Sequence, residues 1–145
     1  MPDASTVIAC PECGTRNRVR PVPRGTPRCR ECKRALPWVV HADTAAFPAE
    51  SAASVPVIVD LWAPWCGPCR MVAPVLERLA RERAGRVKVV KVNVDEEPAL
   101  GARFRAQSIP LLVLLRDGEE AGRQVGAVPY EPLVDWLDRS LAAAR

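Results

Sequence analysis

From Leu36 onward the chain alternates two kinds of apolar run. Val55-Pro56-Val57-Ile58-Val59-Asp60-Leu61-Trp62 is continuous, rich in β-branched residues and too short for a helix, so it reads as a buried strand. Between Gly67 and Arg83 the spacing lengthens. Val72, Val75, Leu76, Leu79 and Ala80 recur every three or four residues, which predicts an amphipathic helix with Gly85 just beyond as its stop. Pro74 falls inside that helix and is expected to kink it. Val87–Val94 restores the strand pattern, and a short helix is expected near Pro98–Phe104. Pro110–Leu115 and Glu120–Val125 flank Asp117-Gly118, the signature of an antiparallel hairpin. Leu133, Trp136, Leu137 and Leu141 mark one face of a closing helix over 131–144. A weaker strand and helix fit 38–53. A βαβ unit followed by a hairpin and a helix predicts a three-layer α/β sandwich, with helices on both faces of a central mixed sheet.

The first 35 residues break this rhythm. They are rich in Cys, Pro, Gly and Arg, and their apolar content is Val7-Ile8-Ala9 with Val19 and Val22 further on. So little apolar surface does not offset the entropy of ordering the segment, and something other than a core must hold it together. The expected division is therefore a small module over 1–35 and an α/β domain over 36–145. Charge divides at nearly the same place. Residues 1–40 carry eight Arg or Lys against three acids, a net of +5, whereas the remaining residues carry thirteen against fourteen. Such an excess suits an acidic partner such as nucleic acid, or equally a small, well-solvated module.

Across all 145 residues, 48% are hydrophobic and 26% charged, which excludes wholesale disorder. No apolar run approaches the roughly 18 to 20 residues of a membrane-spanning helix. The opening Met1-Pro2-Asp3-Ala4-Ser5-Thr6 has no basic stretch followed by an apolar one, so no secretory signal is expected. Six cysteines in such a chain point to metal binding or redox catalysis in a reducing compartment, and a cytoplasmic location is expected.

Four of the six form two pairs, Cys10-x2-Cys13 and Cys29-x2-Cys32, fifteen residues apart. Each pair sets two sulfurs on one tight knuckle, and Gly14 permits the turn after the first. Two knuckles close a tetrahedral four-thiolate site of the kind Zn2+ accepts, one ion per chain. Metal ligation would supply the folding energy that the thin core lacks. Four thiolates and one Zn2+ bring the segment from +5 to about +3, so the arginines partly neutralise a dianionic cluster. A rubredoxin-type iron site would use the same ligands, and two reducible disulfides are the remaining alternative. No Phe, Tyr or Trp lies between Cys10 and Cys32, so no platform exists there for stacking unpaired bases. Arg16, Arg18, Arg20, Arg24, Arg28 and Arg30 offer phosphate contacts without base readout, and nucleic acid is not the expected partner.

Trp65-Cys66-Gly67-Pro68-Cys69 lies where the first clear strand meets its helix. Cys66 falls at the helix N-terminus, where unpaired N–H groups and the positive dipole end favour a thiolate. Pro68 falls in the first turn, where its missing N–H costs nothing. Cys69 is three residues on, close enough to close a small disulfide ring with Cys66. An exposed, activated sulfur with a more buried one behind it is the layout for thiol–disulfide exchange. A structural disulfide or half of a metal site would use the same two residues. The metal alternative needs two further ligands, and His41 is the only histidine in the chain.

The segment Val59-Asp60-Leu61-Trp62-Ala63-Pro64-Trp65-Cys66-Gly67-Pro68-Cys69-Arg70 resembles the active-site segment of the thioredoxin family. The likeness extends through Lys91-Val92-Asn93-Val94-Asp95, Ser108-Ile109-Pro110 and Val125-Gly126-Ala127, and covers about residues 39–145. The four-cysteine module ahead of it resembles the bacterial thioredoxin 2 subfamily. The resemblance implies the thioredoxin fold preceded by a small zinc ribbon, with Cys66 as nucleophile and Cys69 as the resolving thiol. Asp60 matches the family's buried acid, and a carboxyl in an apolar strand has a raised pKa and can accept the proton of Cys69; a strand Asp that simply bonds a backbone N–H is the alternative. Lys91 resembles the lysine that tunes that acid, though an exposed strand lysine would read the same way. Pro110 matches the family's cis-proline, facing the disulfide. Trp65, Gly67, Pro68, Ile109, Gly126 and Ala127 map onto the rim where partner proteins dock, with Trp62 packed beneath. The chain departs from the family at Leu111, where Thr is usual beside the docking surface, and at Leu61, where Phe is usual and a core adjustment is expected.

The implied activity is protein-disulfide reduction, with oxidised proteins as substrates and a flavin- and NADPH-dependent thioredoxin reductase as the recharging partner. No organic cofactor is expected in this chain, no membrane association, and a monomer. An oxidant or isomerase would use the same chemistry, but the Gly-Pro dipeptide between the cysteines favours the reductase. A zinc-dependent binding module on a thioredoxin scaffold is the reading from a different class, and an intact Cys66, Cys69, Asp60 and Pro110 set argues against it.

Overall fold

Why the central strand sits where it does follows from its composition. Val57–Trp62 (β4) has no solvent-exposed residue, and Ile58, Val59, Asp60 and Leu61 are fully buried, so it must be covered on both faces and both edges. In the computed structural model, which describes residues 6–19 and 26–143, it is. Arg20, Val22, Arg24 and Ala144 lie outside the described residues.

The chain begins with a two-stranded antiparallel ribbon, β1 (Thr6–Ala9) and β2 (Arg16–Val19). Next come β3 (Val39–His41), α1 (Phe47–Ser51), β4, α2 (Gly67–Glu82), β5 (Lys88–Asn93) and α3 (Pro98–Arg103). The chain closes with β6 (Leu111–Arg116), β7 (Glu119–Val125) and α4 (Tyr130–Ala143). Five strands form one mixed sheet in the order β3-β5-β4-β6-β7. β4 runs parallel to β5 and antiparallel to β6, so the βαβ crossover and the hairpin meet on the same central strand. Strand boundaries fall within one or two residues of the pattern's prediction. α2 continues across Pro74 as a single helix.

Alternation sorts the side chains into two layers. Val57, Val59, Leu61, Val90, Val92, Leu111 and Val113 face α1 and α3, joining Phe47, Leu100 and Phe104. Ile58, Val89, Leu112 and Leu114 face the other way, against Val72, Leu76 and Leu79 of α2 and Leu133, Trp136 and Leu137 of α4. The fold is the expected three-layer sandwich. The β6–β7 turn holds Asp117 and Gly118 at φ of +53° and +80°, the left-handed pair that matches the twist of a two-residue hairpin.

The ribbon is not a separate island. Cys10, Val19 and Cys29 are buried in the same apolar cluster as Leu36, Trp38, Val40 and Phe47, so the thin core expected from 1–35 is completed by the sheet. β1 runs beside β3 across a groove of about 490 Å3. At the other side Glu12 lies 3.6 Å from Arg81 in the last turn of α2. No helix among the described residues is long and apolar enough to cross a membrane.

Candidate active site and metal centre

β4 ends at Trp62, and four residues later Cys66 caps α2. The extended backbone of Cys66 (φ −86°, ψ 109°) turns its sulfur back over the first helical turn. There it accepts the Cys69 N–H at 3.1 Å, one of the donors the helix cannot satisfy internally. Gly67 and Pro68 occupy the first turn, where proline forfeits no helical bond. Cys66 and Cys69 are joined as a disulfide. Both are buried to the same degree, 3% exposed, which corrects the expectation of one exposed and one sheltered sulfur. What separates them is contact: Cys66 has the helix N–H and lies 3.8 Å from the Ile109 carbonyl oxygen.

Ile109-Pro110 is a cis peptide, and the Pro110 carbonyl accepts the Gly126 N–H at 2.8 Å. Ile109 packs against the cluster of Ala63, Cys66 and Cys69, as does Trp62 from beneath. Trp65 stands out at 67% exposure with its Nε1–H bonded to Asp95 Oδ2 at 2.9 Å. Among the described residues, four large apolar side chains are exposed: Trp65, Met71, Val125 and Val7. The first three belong to the segments that carry Cys66, Cys69 and Gly126, and Ala127 is exposed too. The exposure of Met71 was legible as an apolar residue off the buried stripe of α2, whereas the Asp95 bond to Trp65 was not. Leu111 pairs with Val125 in the sheet, but its side chain is not on the surface where it was expected. It is 2% exposed and faces the α1–α3 layer, because β6 turns every second side chain away from the dithiol.

Six residues before Cys66, Asp60 is fully buried in β4. Lys91 Nζ approaches Asp60 Oδ2 at 3.5 Å, and neither carboxylate oxygen accepts another hydrogen bond among the described residues. Burial pushes the Asp60 carboxyl up to about 6, against the opposing pull of the Lys91 charge. A carboxyl raised in this way exchanges a proton closer to neutral pH than an ordinary carboxyl does.

The other four cysteines converge. Their Sγ atoms lie within 4.8 Å of one another, and none is paired as a disulfide. Cys10 and Cys32 sulfurs are 3.6 Å apart, Cys13 and Cys29 3.5 Å. A tetrahedron with zinc–sulfur bonds of about 2.3 Å has edges near 3.8 Å, so the donor set fits. The two knuckles are copies in their backbone bonding. Gly14 N–H bonds Cys10 O at 2.8 Å and Lys33 N–H bonds Cys29 O at 3.0 Å; Cys10 and Cys29 N–H groups reach Thr15 and Arg34 carbonyls. Both closing residues are left-handed, Gly14 at φ +79° and Lys33 at +67°. Although burial pushes the Cys29 thiol up, N–H groups of Cys32, Asn17 and Glu31 outweigh it and hold it at about 6, which favours the thiolate a metal needs. Asn17, unremarked in the sequence, bonds Cys29 Sγ at 3.5 Å and takes the Arg30 N–H at 3.0 Å, tying the knuckles together.

The Thioredoxin family model matches residues 37–139. The chain belongs to the thioredoxin family. It is 51% identical to thioredoxin 1 of Synechococcus elongatus over 88 residues, which span 61% of this chain and 82% of that protein. It is 45% identical to the thioredoxin of Haemophilus influenzae over 104 residues, 71% of this chain and 97% of that protein. Against thioredoxin 1 of Nostoc the identity is 49% over 87 residues, 60% of this chain and 81% of that one. With Cys66 and Cys69 already joined at the helix start, the thioredoxin domain is that of a thiol–disulfide oxidoreductase. The four-cysteine module precedes the matched residues.

Proposed function

We propose that this thioredoxin is a protein-disulfide reductase of the zinc-ribbon subfamily, working in a reducing compartment and recharged by a thioredoxin reductase. The observation that carries the reading is the Cys66 sulfur at the α2 N-terminus, taking the Cys69 N–H, with Asp60 buried in the strand that leads to it. In the reduced form Cys66 reacts as the thiolate, stabilised by that N–H and the helix dipole. It attacks a substrate disulfide, forming a Cys66–substrate bond and expelling one substrate thiolate. Cys69 then gives its proton to Asp60 and attacks Cys66 Sγ, expelling the second substrate thiolate and closing the Cys66–Cys69 disulfide. Two electrons pass from the dithiol to the substrate. The rim of Trp65, Gly67, Pro68, Ile109, Gly126 and Ala127 receives an extended stretch of the substrate beside Pro110. Cys10, Cys13, Cys29 and Cys32 hold one structural zinc ion in a module over 1–35, ahead of the α/β domain over 36–145.

The test is insulin reduction with NADPH and a thioredoxin reductase, using single cysteine variants. Cys66→Ser should abolish turnover. Cys69→Ser should retain attack and accumulate mixed disulfides that a non-reducing gel resolves. Because both sulfurs are equally buried, iodoacetamide should select Cys66 by thiolate character. Faster labelling of Cys69 would reverse the two roles.

A further inference from the structure

Three titratable residues stand in one row across three adjacent parallel strands. His41 of β3 is registered opposite Lys91 of β5, and Lys91 opposite Asp60 of β4. Side chains in one row share a sheet face, and strands are about 4.8 Å apart, so imidazole and carboxylate flank the ammonium at roughly 10 Å from each other. Trp62 ties the row together. Its ring lies 5.5 Å from Lys91 Nζ and 6.3 Å, edge-on, from the His41 ring. A pocket of about 420 Å3 opens at the outer end of the row, lined by His41, Asp43, Trp62, Lys91, Glu96 and Glu97 among others. Neither Cys66, Cys69 nor Pro110 lines it. The pocket thus opens apart from the dithiol, and Lys91 is partly exposed behind Asp60.

We propose that His41 is a positioning residue for disulfide exchange, acting on Asp60 through Lys91 from the solvent end of this row. The inference rests on the reading of Asp60 as the proton acceptor. On this proposal the Lys91 ammonium, held 3.5 Å from Asp60 on a side chain that lines the pocket, exchanges between the two, and a charged imidazole opposite it disfavours the outward position. Charged His41 therefore keeps the cation against the carboxylate and extends its ionised range toward lower pH. Burial and then the Lys91 charge lower the pKa of His41. The other groups around His41 are accounted for. Asp43 lies on its own loop, Asn93 ends β5, and Glu96 and Glu97 follow β5 in the same pocket. Glu50 of α1 and Glu77 of α2 line the groove on the far side of β3. Glu97 accepts the Thr44 N–H and hydroxyl, Glu96 the Asn93 amide and Glu77 the Arg81 guanidinium. Glu50 sits with Lys88 and Thr6, which leaves Lys91 as the charged group directly opposite the imidazole in the sheet.

The experiment is a reciprocal titration on the full-length, reduced, zinc-loaded chain. The Asp60 carboxyl is followed by 13C NMR, the His41 ring by proton NMR, and the ratio of disulfide-reduction rates at pH 5.5 and pH 8 is measured alongside. In His41→Gln the Asp60 titration should move up, and the rate ratio should fall about threefold, the size expected for a charge roughly 10 Å away at partial exposure. His41→Lys, a permanent cation, should restore the ratio. Linkage requires that Asp60→Asn shift the His41 titration down by the same amount. If His41→Gln moves neither the carboxyl nor the ratio while Asp60→Asn abolishes the acid limb, His41 has no such role and the proton-acceptor reading stands. If Asp60→Asn leaves the acid limb in place, the reading of Asp60 has failed first.

Discussion

Asp60 sits in the core at the expense of stability. Its carboxyl ordinarily titrates near 3.8 and is raised to about 6 in the fold. Between those values the unfolded chain has given up a proton that the folded chain keeps. Stability therefore falls as pH rises through that window and stays lower above it. A rise of that size is worth about 3 kcal/mol at most. Asp60→Asn keeps the shape and removes the charge, so it should raise the urea-unfolding free energy by about 1–3 kcal/mol at pH 7.5 and leave it nearly unchanged at pH 4. An equal gain at both pH values would mean that burial of the charge is not the cause. The identity of Asp60 was legible because a lone acid interrupts an apolar run. Equal burial of the two sulfurs was not, since it depends on Ile109 and Trp62 arriving from other segments.

At the scale of elements, the two knuckles pose a cleaner question about backbone than most turns. A Cβ at Gly14 would meet nothing within 4 Å, so any penalty there comes from the left-handed φ of +79° alone. Gly14→Ala should weaken the metal site by about 1 kcal/mol, seen as a roughly fivefold lower chelator concentration for zinc release. An unchanged midpoint would show that metal ligation overrides the strain that Lys33 already bears at the same station. The elements themselves were readable from period and punctuation: alternation for the strands, Asp117-Gly118 for the hairpin, Gly85 for the end of α2. The orientation of Leu111 was not. Its face is set by the register of β6 on β4, and pairing partners leave no mark on the local pattern.

For the whole molecule, the decisive fact is that ribbon and sheet share one apolar cluster, with Cys10, Val19 and Cys29 against Leu36 and Trp38. The sequence shows the ligands and hides this contact, because the residues that complete the ribbon's core lie in the next segment. The contact also fixes where the ribbon rests. Arg81, which Glu12 meets, is about 22 Å along α2 from Cys66, so this contact of the ribbon lies far from the dithiol. Stripping the metal should thus lower the single thermal transition of the chain by about 5–10 °C while reductase chemistry at room temperature persists. Two resolved transitions, with the higher unmoved, would separate ribbon from sheet. A further consequence concerns the two borders of the sheet. β7 guards its own with Glu119, Glu120, Arg123 and Gln124, the charged and polar side chains that discourage a stray strand from adding on. β3 reads Val-Val-His, and its border faces the neighbouring ribbon across a groove that Glu50 and Glu77 also line. If release of the ribbon bares β3, light scattering after removal of the proposed zinc ion should register the slow growth of aggregates, and that ion would then guard colloidal solubility as well as folding.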